Sequence, residues 1–126
     1  MSELKELAAE AKHELLTHII PFWRGMRDDK FDGYYGYLSY DLALDEKAEK
    51  GCILNSRITW FFANVYLLYK DGGISEEECE AAGFKGEDLL AEAKHGYEFL
   101  RKHCIDKEYG GIFWSLNYDG TPLDTT

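Results

Sequence analysis

Positive charge is scarce in this chain: 14 Lys and Arg face 24 Asp and Glu, a net charge of −10 over 126 residues. No cluster of Lys or Arg offsets the deficit locally, so phosphate backbones and anionic lipid surfaces are repelled. The balance speaks against nucleic acid and against membrane surfaces as partners. A membrane-spanning apolar run is also missing. The first helical stretch, Ser2 to Ile20, mixes Glu and Lys with its apolar residues and reads as neither a signal peptide nor a transmembrane span. A cytoplasmic location is the resulting expectation. Cysteine occurs three times, at Cys52, Cys79 and Cys104, without a C-x-x-C pair. An odd, widely spaced set argues against a disulfide framework or a zinc site and predicts three ordinary buried thiols. There is no Gly-rich phosphate loop, nucleophile elbow or dinucleotide fingerprint. His13 and His18 sit five apart, so they diverge around a helix where a zinc-protease pair would share a face. No metal site is expected.

Aromatic residues are abundant. Nine Tyr, seven Phe and three Trp make 15% of a chain that is 45% hydrophobic, enough for one domain with a real core. Their flat faces suit core packing and stacking on sugar rings. Several fall in a duplicated stretch: residues 28–41 (DDKFDGYYGYLSYD) return as residues 106–119 (DKEYGGIFWSLNYD). Five of the fourteen positions are identical and two more exchange Phe with Tyr, and each copy follows an amphipathic helical stretch. A long-period repeat signals stacked units, none of which buries its apolar face alone. The second copy ends near Thr126, where its next helix is due, so the chain reads as the first part of a larger repeat protein.

Between the copies the periodicity changes. Leu4, Leu7, Ala8, Ala11, Leu15 and Ile19 form one apolar stripe, predicting a one-sided helix that ends at Pro21. Gly33 and Gly36 flank aromatics suited to short extended segments, and a charged loop runs from Asp41 to Gly51. From Ser56 to Tyr69 almost no polar face remains, and a helix apolar all round must be buried all round. Asn55 or Ser56 is placed to cap it and Gly72-Gly73 to end it. Ser75 to Glu78 reads as a capping box for a short helix stopping at Gly83, a surface insertion. Leu89, Leu90, Ala93, Tyr97, Leu100 and Cys104 define another one-sided helix. Outer helices covered on one face and inner helices covered on all faces suit a toroid of helix pairs with the hairpins on one rim. A free four-helix bundle explains neither the repeat nor a helix without a solvent face. With only the helices present here, the aromatic face of the 56–69 helix should stay wet, which predicts self-association through that surface.

Arg57 stands out chemically. A cation in the first turn of the most apolar helix is opposed by the helix dipole and by burial. Two readings stand: an ion pair with Asp45, Glu46 or Glu49 of the preceding loop, or an anionic or oxygen-rich ligand in a central cavity. His95 and His103 lie beside Lys94 and Lys102 and read as solvated surface residues. Paired carboxylates for glycoside hydrolysis are a weak signal among 24 acidic residues.

Five ordered stretches carry a resemblance: Ile19-Ile20-Pro21-Phe22-Trp23; residues 33–38 (GYYGYL); residues 50–57 (KGCILNSR) with Trp60-Phe61-Phe62; residues 93–99 (AKHGYEF); and residues 109–114 (YGGIFW) with 122–125 (PLDT). In this combination the chain resembles the N-acylglucosamine 2-epimerase family, in particular its cellobiose 2-epimerase members. Asp32 stands where that family usually has a second Gly, and Ile74 to Asp88 look like an insertion. The resemblance implies an all-α fold, with residues 1–126 as the N-terminal portion of a single (α/α)6 barrel domain carrying short β-hairpins on one rim. It implies a cofactor-free isomerase acting on a small carbohydrate, inverting C2 of the reducing-end glucose of cellobiose-type disaccharides through an enediolate between two histidines. Arg57 matches the arginine assigned to substrate binding and catalysis, as stabiliser of the developing oxyanion. None of the four histidines here matches the catalytic pair, so this chain alone is expected to be inactive. N-acetylglucosamine 2-epimerase or an aldose-ketose isomerase of the same fold are alternative activities, and a non-catalytic sugar- or partner-binding domain is the alternative of another class.

Overall fold

A computed structural model describes residues 2–36, 38, 43–105, 110, 111, 113 and 115–121. Helix α1 spans Ser2–Glu14, a π-helical turn follows at Leu15–Ile19, and α2 continues through Ile20–Gly25. Pro21 therefore does not end the helix. Proline lacks an N–H and crowds the carbonyl four residues back, and the wider π turn just before it relieves both problems. The turn also acts like one inserted residue, rotating the face by about 100°. Leu16 and Ile20 are consequently buried, while Leu4, Leu7 and Ile19 of the expected stripe are exposed. Beyond the turn, α1 lies on the surface, tied to the body by the ion pair of Lys12 with Glu78 at 2.8 Å.

The first repeat folds as a tight loop closed by an antiparallel bridge between Arg27 and Tyr34. Its turn needs positive φ at two successive residues, Asp32 (69°) and Gly33 (71°). Glycine adopts that conformation freely and Asp tolerates it, which explains an Asp where Gly would serve. In the second copy, residues 106–109, 112 and 114 lie outside the described residues, as do 37 and 39–41 in the first. What is described of it pairs outward: β1 (Lys50–Gly51) is antiparallel to β2 (Ser115–Leu116), tying the second repeat to the start of the next helix.

That helix, α3, spans Cys52–Lys70, four residues longer at its start than Ser56 predicts. Asn55 lies inside its first turn, donating to the Gly51 carbonyl at 2.9 Å and accepting from the Tyr34 amide at 2.8 Å. Gly72, at φ 89°, ends the helix as expected. The short helix α4 (Glu76–Ala81) has its capping box, with Ser75 Oγ accepting from the Glu78 amide at 3.1 Å and Glu78 accepting from the Ser75 amide at 3.0 Å. It is more than a surface insertion, because Ile74, Cys79 and Phe84 plug into the main core.

Helix α5 (Gly86–Phe99) packs along α3 and closes in a second π turn at Leu100–Cys104. Two glycines set the separation. A methyl group at Gly96 would overlap the Thr59 side chain, and one at Gly86 would overlap the Tyr69 ring. The main core gathers Leu16, Ile20, Tyr34, Ile58, Phe62, Val65 and Leu89, and a second cluster joins Cys52, Phe99, Cys104 and Leu116. In that second cluster Cys52 and Cys104 are disulfide-bonded, with Cα atoms 5.9 Å apart. This corrects the expectation of three free thiols: the 52-residue separation hides a proximity that only the pairing of α3 with α5 creates. Cys79 alone is a free, buried thiol. The enclosure expected of α3 is also incomplete. α5 and the N-terminal segment cover one side, while Ile53, Trp60 and Leu67 on the other are exposed, Trp60 at 70%.

Candidate functional site

Ile53, Trp60 and Leu67 recur every seven residues, so they form one stripe along α3, and Arg57 lies within it between Ile53 and Trp60. Arg57 is exposed, contrary to the burial implied by an all-apolar helix. It makes no ion pair with a described residue, Asp45, Glu46 and Glu49 of the preceding loop included. Glu46 accepts from the Tyr35 hydroxyl at 3.3 Å and Asp45 from the Lys47 amide at 3.0 Å. Arg57 instead helps wall a groove of about 370 Å³ with Cys52, Ile53, Ser56, Leu100, Cys104 and Ile105. A lone planar cation on a mostly apolar wall can bind and polarise an oxygen-rich ligand.

A second concavity of about 300 Å³ lies at the repeats, lined by Asp28, Lys30, Phe31, Tyr35, Glu46, Lys47 and Tyr118. Phe31 of the first repeat meets Tyr118 of the second edge to face, with centroids 5.4 Å apart. Beneath it Lys50 is fully buried, its ammonium 2.5 Å from Asp28 Oδ2 and 2.6 Å from the Asp32 carbonyl. Burial opposes ionisation of Asp28, but hydrogen bonds from Lys50 and from the Phe31 and Lys30 amides outweigh it and hold the carboxyl below its ordinary value. Nothing in the sequence marked Lys50 as buried.

Glu92 is likewise a residue that sequence reasoning missed. It is 2% exposed on α5, bound by Arg24 at 2.9 Å and Arg27 at 3.2 Å, and accepts from the Tyr34 hydroxyl at 2.9 Å. Burial pushes the Tyr34 phenol well above its ordinary range, with the charge and hydrogen bond of Glu92 adding to it. The one available signal was a carboxylate between Leu89 and Ala93 in an apolar stripe. Among the described residues no buried side-chain polar atom lacks a partner, and this network fixes the first repeat against α5.

None of the four histidines lines the Arg57 groove. His13 and His18 are exposed on the N-terminal helical segment. His95 and His103 are half-buried, correcting the surface reading. His95 Nε2 lies 2.7 Å from the Gly33 carbonyl oxygen, which can only accept, so that nitrogen carries the proton. His103 Nε2 lies 3.6 Å from Asp32 Oδ2. Both brace the first repeat. Among the described residues no group of three His, Cys, Asp or Glu is placed to hold a metal ion, and no helix is long and apolar enough to cross a membrane.

No family model matches the chain. Individual relatives do. The cellobiose 2-epimerase of Ruminococcus albus is 47% identical over 119 residues, covering 94% of this chain and 27% of the relative. That of Eubacterium cellulosolvens is 48% identical over 113 residues, covering 90% and 24%. Among solved structures, a sugar epimerase from a ruminal bacterium superimposes with a TM-score of 0.79 at 47% identity, over 94% of this chain and 27% of the other. The cellobiose 2-epimerase of Bacillus thermoamylovorans B4167 gives a TM-score of 0.81 at 35% identity, over 95% and 27%. The chain thus spans about a quarter of the length of the relatives it matches. At these identities the fold is theirs: the helices described here are part of an (α/α)6 barrel, and the resemblance read from the five sequence stretches holds along nearly the whole chain.

Proposed function

We propose that this chain, a relative of the cellobiose 2-epimerases along nearly its whole length, supplies the Arg57-bearing helix pair of a sugar 2-epimerase. Residues 1–126 are then one portion of a single barrel domain working in the cytoplasm, and the substrate is a cellobiose-type disaccharide whose reducing-end glucose is inverted at C2. The observation that carries this reading is Arg57 itself, exposed on the open face of α3 without an ion pair to any described residue, in a chain 47% identical to such enzymes over 119 residues.

Removing the C2 proton of an opened aldose leaves an enediolate whose negative charge sits on oxygen. A guanidinium offers two parallel N–H donors to that oxygen and binds it more tightly as charge develops, which lowers the barrier. None of the four histidines lines the Arg57 groove, so on this reading the acid and base come from parts of the barrel outside this chain. No cofactor is needed for the exchange.

The test is a chimera in which these residues replace the matching 119 residues of the Ruminococcus albus enzyme. It should epimerise cellobiose, and Arg57→Ala within it should lower kcat about 100-fold or more while KM moves much less. A variant with near-normal kcat would remove Arg57 from the mechanism. An inactive but folded chimera would remove the function.

A further inference from the structure

The Arg57 groove has a second chemically active feature in its wall. Cys52 opens α3 and Cys104 closes the π turn after α5, and the two are bonded across the crossing of these helices. Their residues are only 2% and 1% exposed, yet both line the groove alongside Ser56, Arg57, Leu100 and Ile105. A small reagent in the groove therefore lies against both cysteine residues from one side. Cys79, fully buried in the other core cluster, lines none of the described grooves. One end of the bond is also poised to move. A π turn is a locally unfavoured variant of the α-helix, and its relaxation to α geometry would turn Cys104 by about 100° and take its sulfur away from Cys52.

We propose that Cys52 and Cys104 form a reversible thiol–disulfide site for small-molecule disulfides, and that the bond latches the first two turns of α3, which carry Arg57, to the end of α5. In the forward direction one cysteine thiolate attacks an external disulfide RS–SR, giving a mixed disulfide and RS⁻. The second thiolate then attacks the protein sulfur of that mixed disulfide, closing the Cys52–Cys104 bond and releasing the second RS⁻. The two protons and two electrons lost by the cysteines end in two RSH. The N-terminus of α3 favours the anionic sulfur passing through this exchange. In a reducing compartment disulfides serve for sensing far more often than for stapling, which is the use a groove-facing bond suits.

The 126-residue chain tests this directly. Equilibrated in buffers spanning all-reduced to all-oxidised glutathione, then acid-quenched and alkylated, it should show the Cys52–Cys104 cross-linked peptide rising from absent to dominant within that range. Cys79 should remain alkylatable, after unfolding, at every ratio. Hydrogen exchange of the amides around residues 52–57 and 100–104 should be at least tenfold faster in the reduced form. Cys52→Ser should match that reduced rate in both buffers, and Cys79→Ser should behave as the parent. A bond that never forms, pairs with Cys79, or persists at every ratio as a fixed staple overturns the proposal, as do equal exchange rates in the two forms. The relevance to sugar rests on the function proposed above. The cross-link and exchange measurements involve no sugar, so they stand or fall separately from it.

Discussion

Lys50 and Asp28 form the buried ion pair on which the first repeat rests. Replacing one partner leaves the other as an uncompensated charge in the interior, typically costing about 3–5 kcal/mol, whereas removing both together costs far less. Asp28→Asn should therefore shift urea unfolding by about that amount, and Asp28→Asn with Lys50→Met should recover most of it. A shift under about 1 kcal/mol for the single variant would mean that water reaches the pair. The pH dependence follows with its sign. Asp28 in the folded chain ionises below its ordinary value of 3.8, so on acidification the unfolded chain takes up the proton first. Its contribution is whole above that ordinary value and is lost as pH falls through the folded one. The urea midpoint should drop more steeply below about pH 4 in the parent than in Asp28→Asn. Neither partner was legible in the sequence, where Lys50 is one of many charges in the segment from Asp41 to Gly51. Burial of a charge depends on what packs over it, here Tyr35 and Phe99 from distant segments.

The helices were legible where a pattern is intrinsic to one element. The capping box of α4, the end of α3 at Gly72 and the burial of Leu89 and Ala93 on α5 need no knowledge of neighbours. The face of the first helix was misread because a π turn shifts the phase without changing the spacing of apolar residues. The disulfide and the Glu92 network were missed because both form only when α5 lies along α3. That crossing rests on Gly96 and Gly86, and it makes a discriminating case. Alanine is a better helix former than glycine by about 1 kcal/mol, so propensity alone predicts that Gly96→Ala stabilises α5. The overlap with Thr59 predicts the opposite, and overpacking of this kind costs about 1–3 kcal/mol. Gly96→Ala should lower Tm in thermal unfolding, and Gly96→Ala with Thr59→Ala, which removes the hydroxyl oxygen that the new methyl would meet, should regain part of the loss. A rise in Tm for the single variant would show that the helices separate at little cost.

At the scale of the whole molecule, Arg57 and the exposed stripe of α3 share one face, so what the chain does in isolation depends on that face. On the function proposed above, Arg57 binds the developing oxyanion, and none of the four histidines lines its groove. The purified chain should therefore leave cellobiose unchanged in deuterium oxide, with no deuterium entering C2 above background by proton NMR. The same face predicts how the chain behaves in solution. Ile53, Trp60 and Leu67 repeat at the seven-residue spacing that lets two helices pack along a common seam, and among the described residues nothing covers them. Burying such a stripe against a second copy removes apolar surface from water at roughly 25 cal/mol per Å², while the net charge of −10 opposes close approach of two copies. Association should thus strengthen with added salt, which screens the repulsion and leaves the apolar contact intact. Light scattering should give a mass well above 14.5 kDa, rising between low and physiological ionic strength. Trp60→Glu, which places a charge at the centre of the seam, should return the chain to a monomer with unchanged helix content. A compact monomer at every salt concentration, melting cooperatively and binding no apolar dye, would instead show that this face is stable in water on its own.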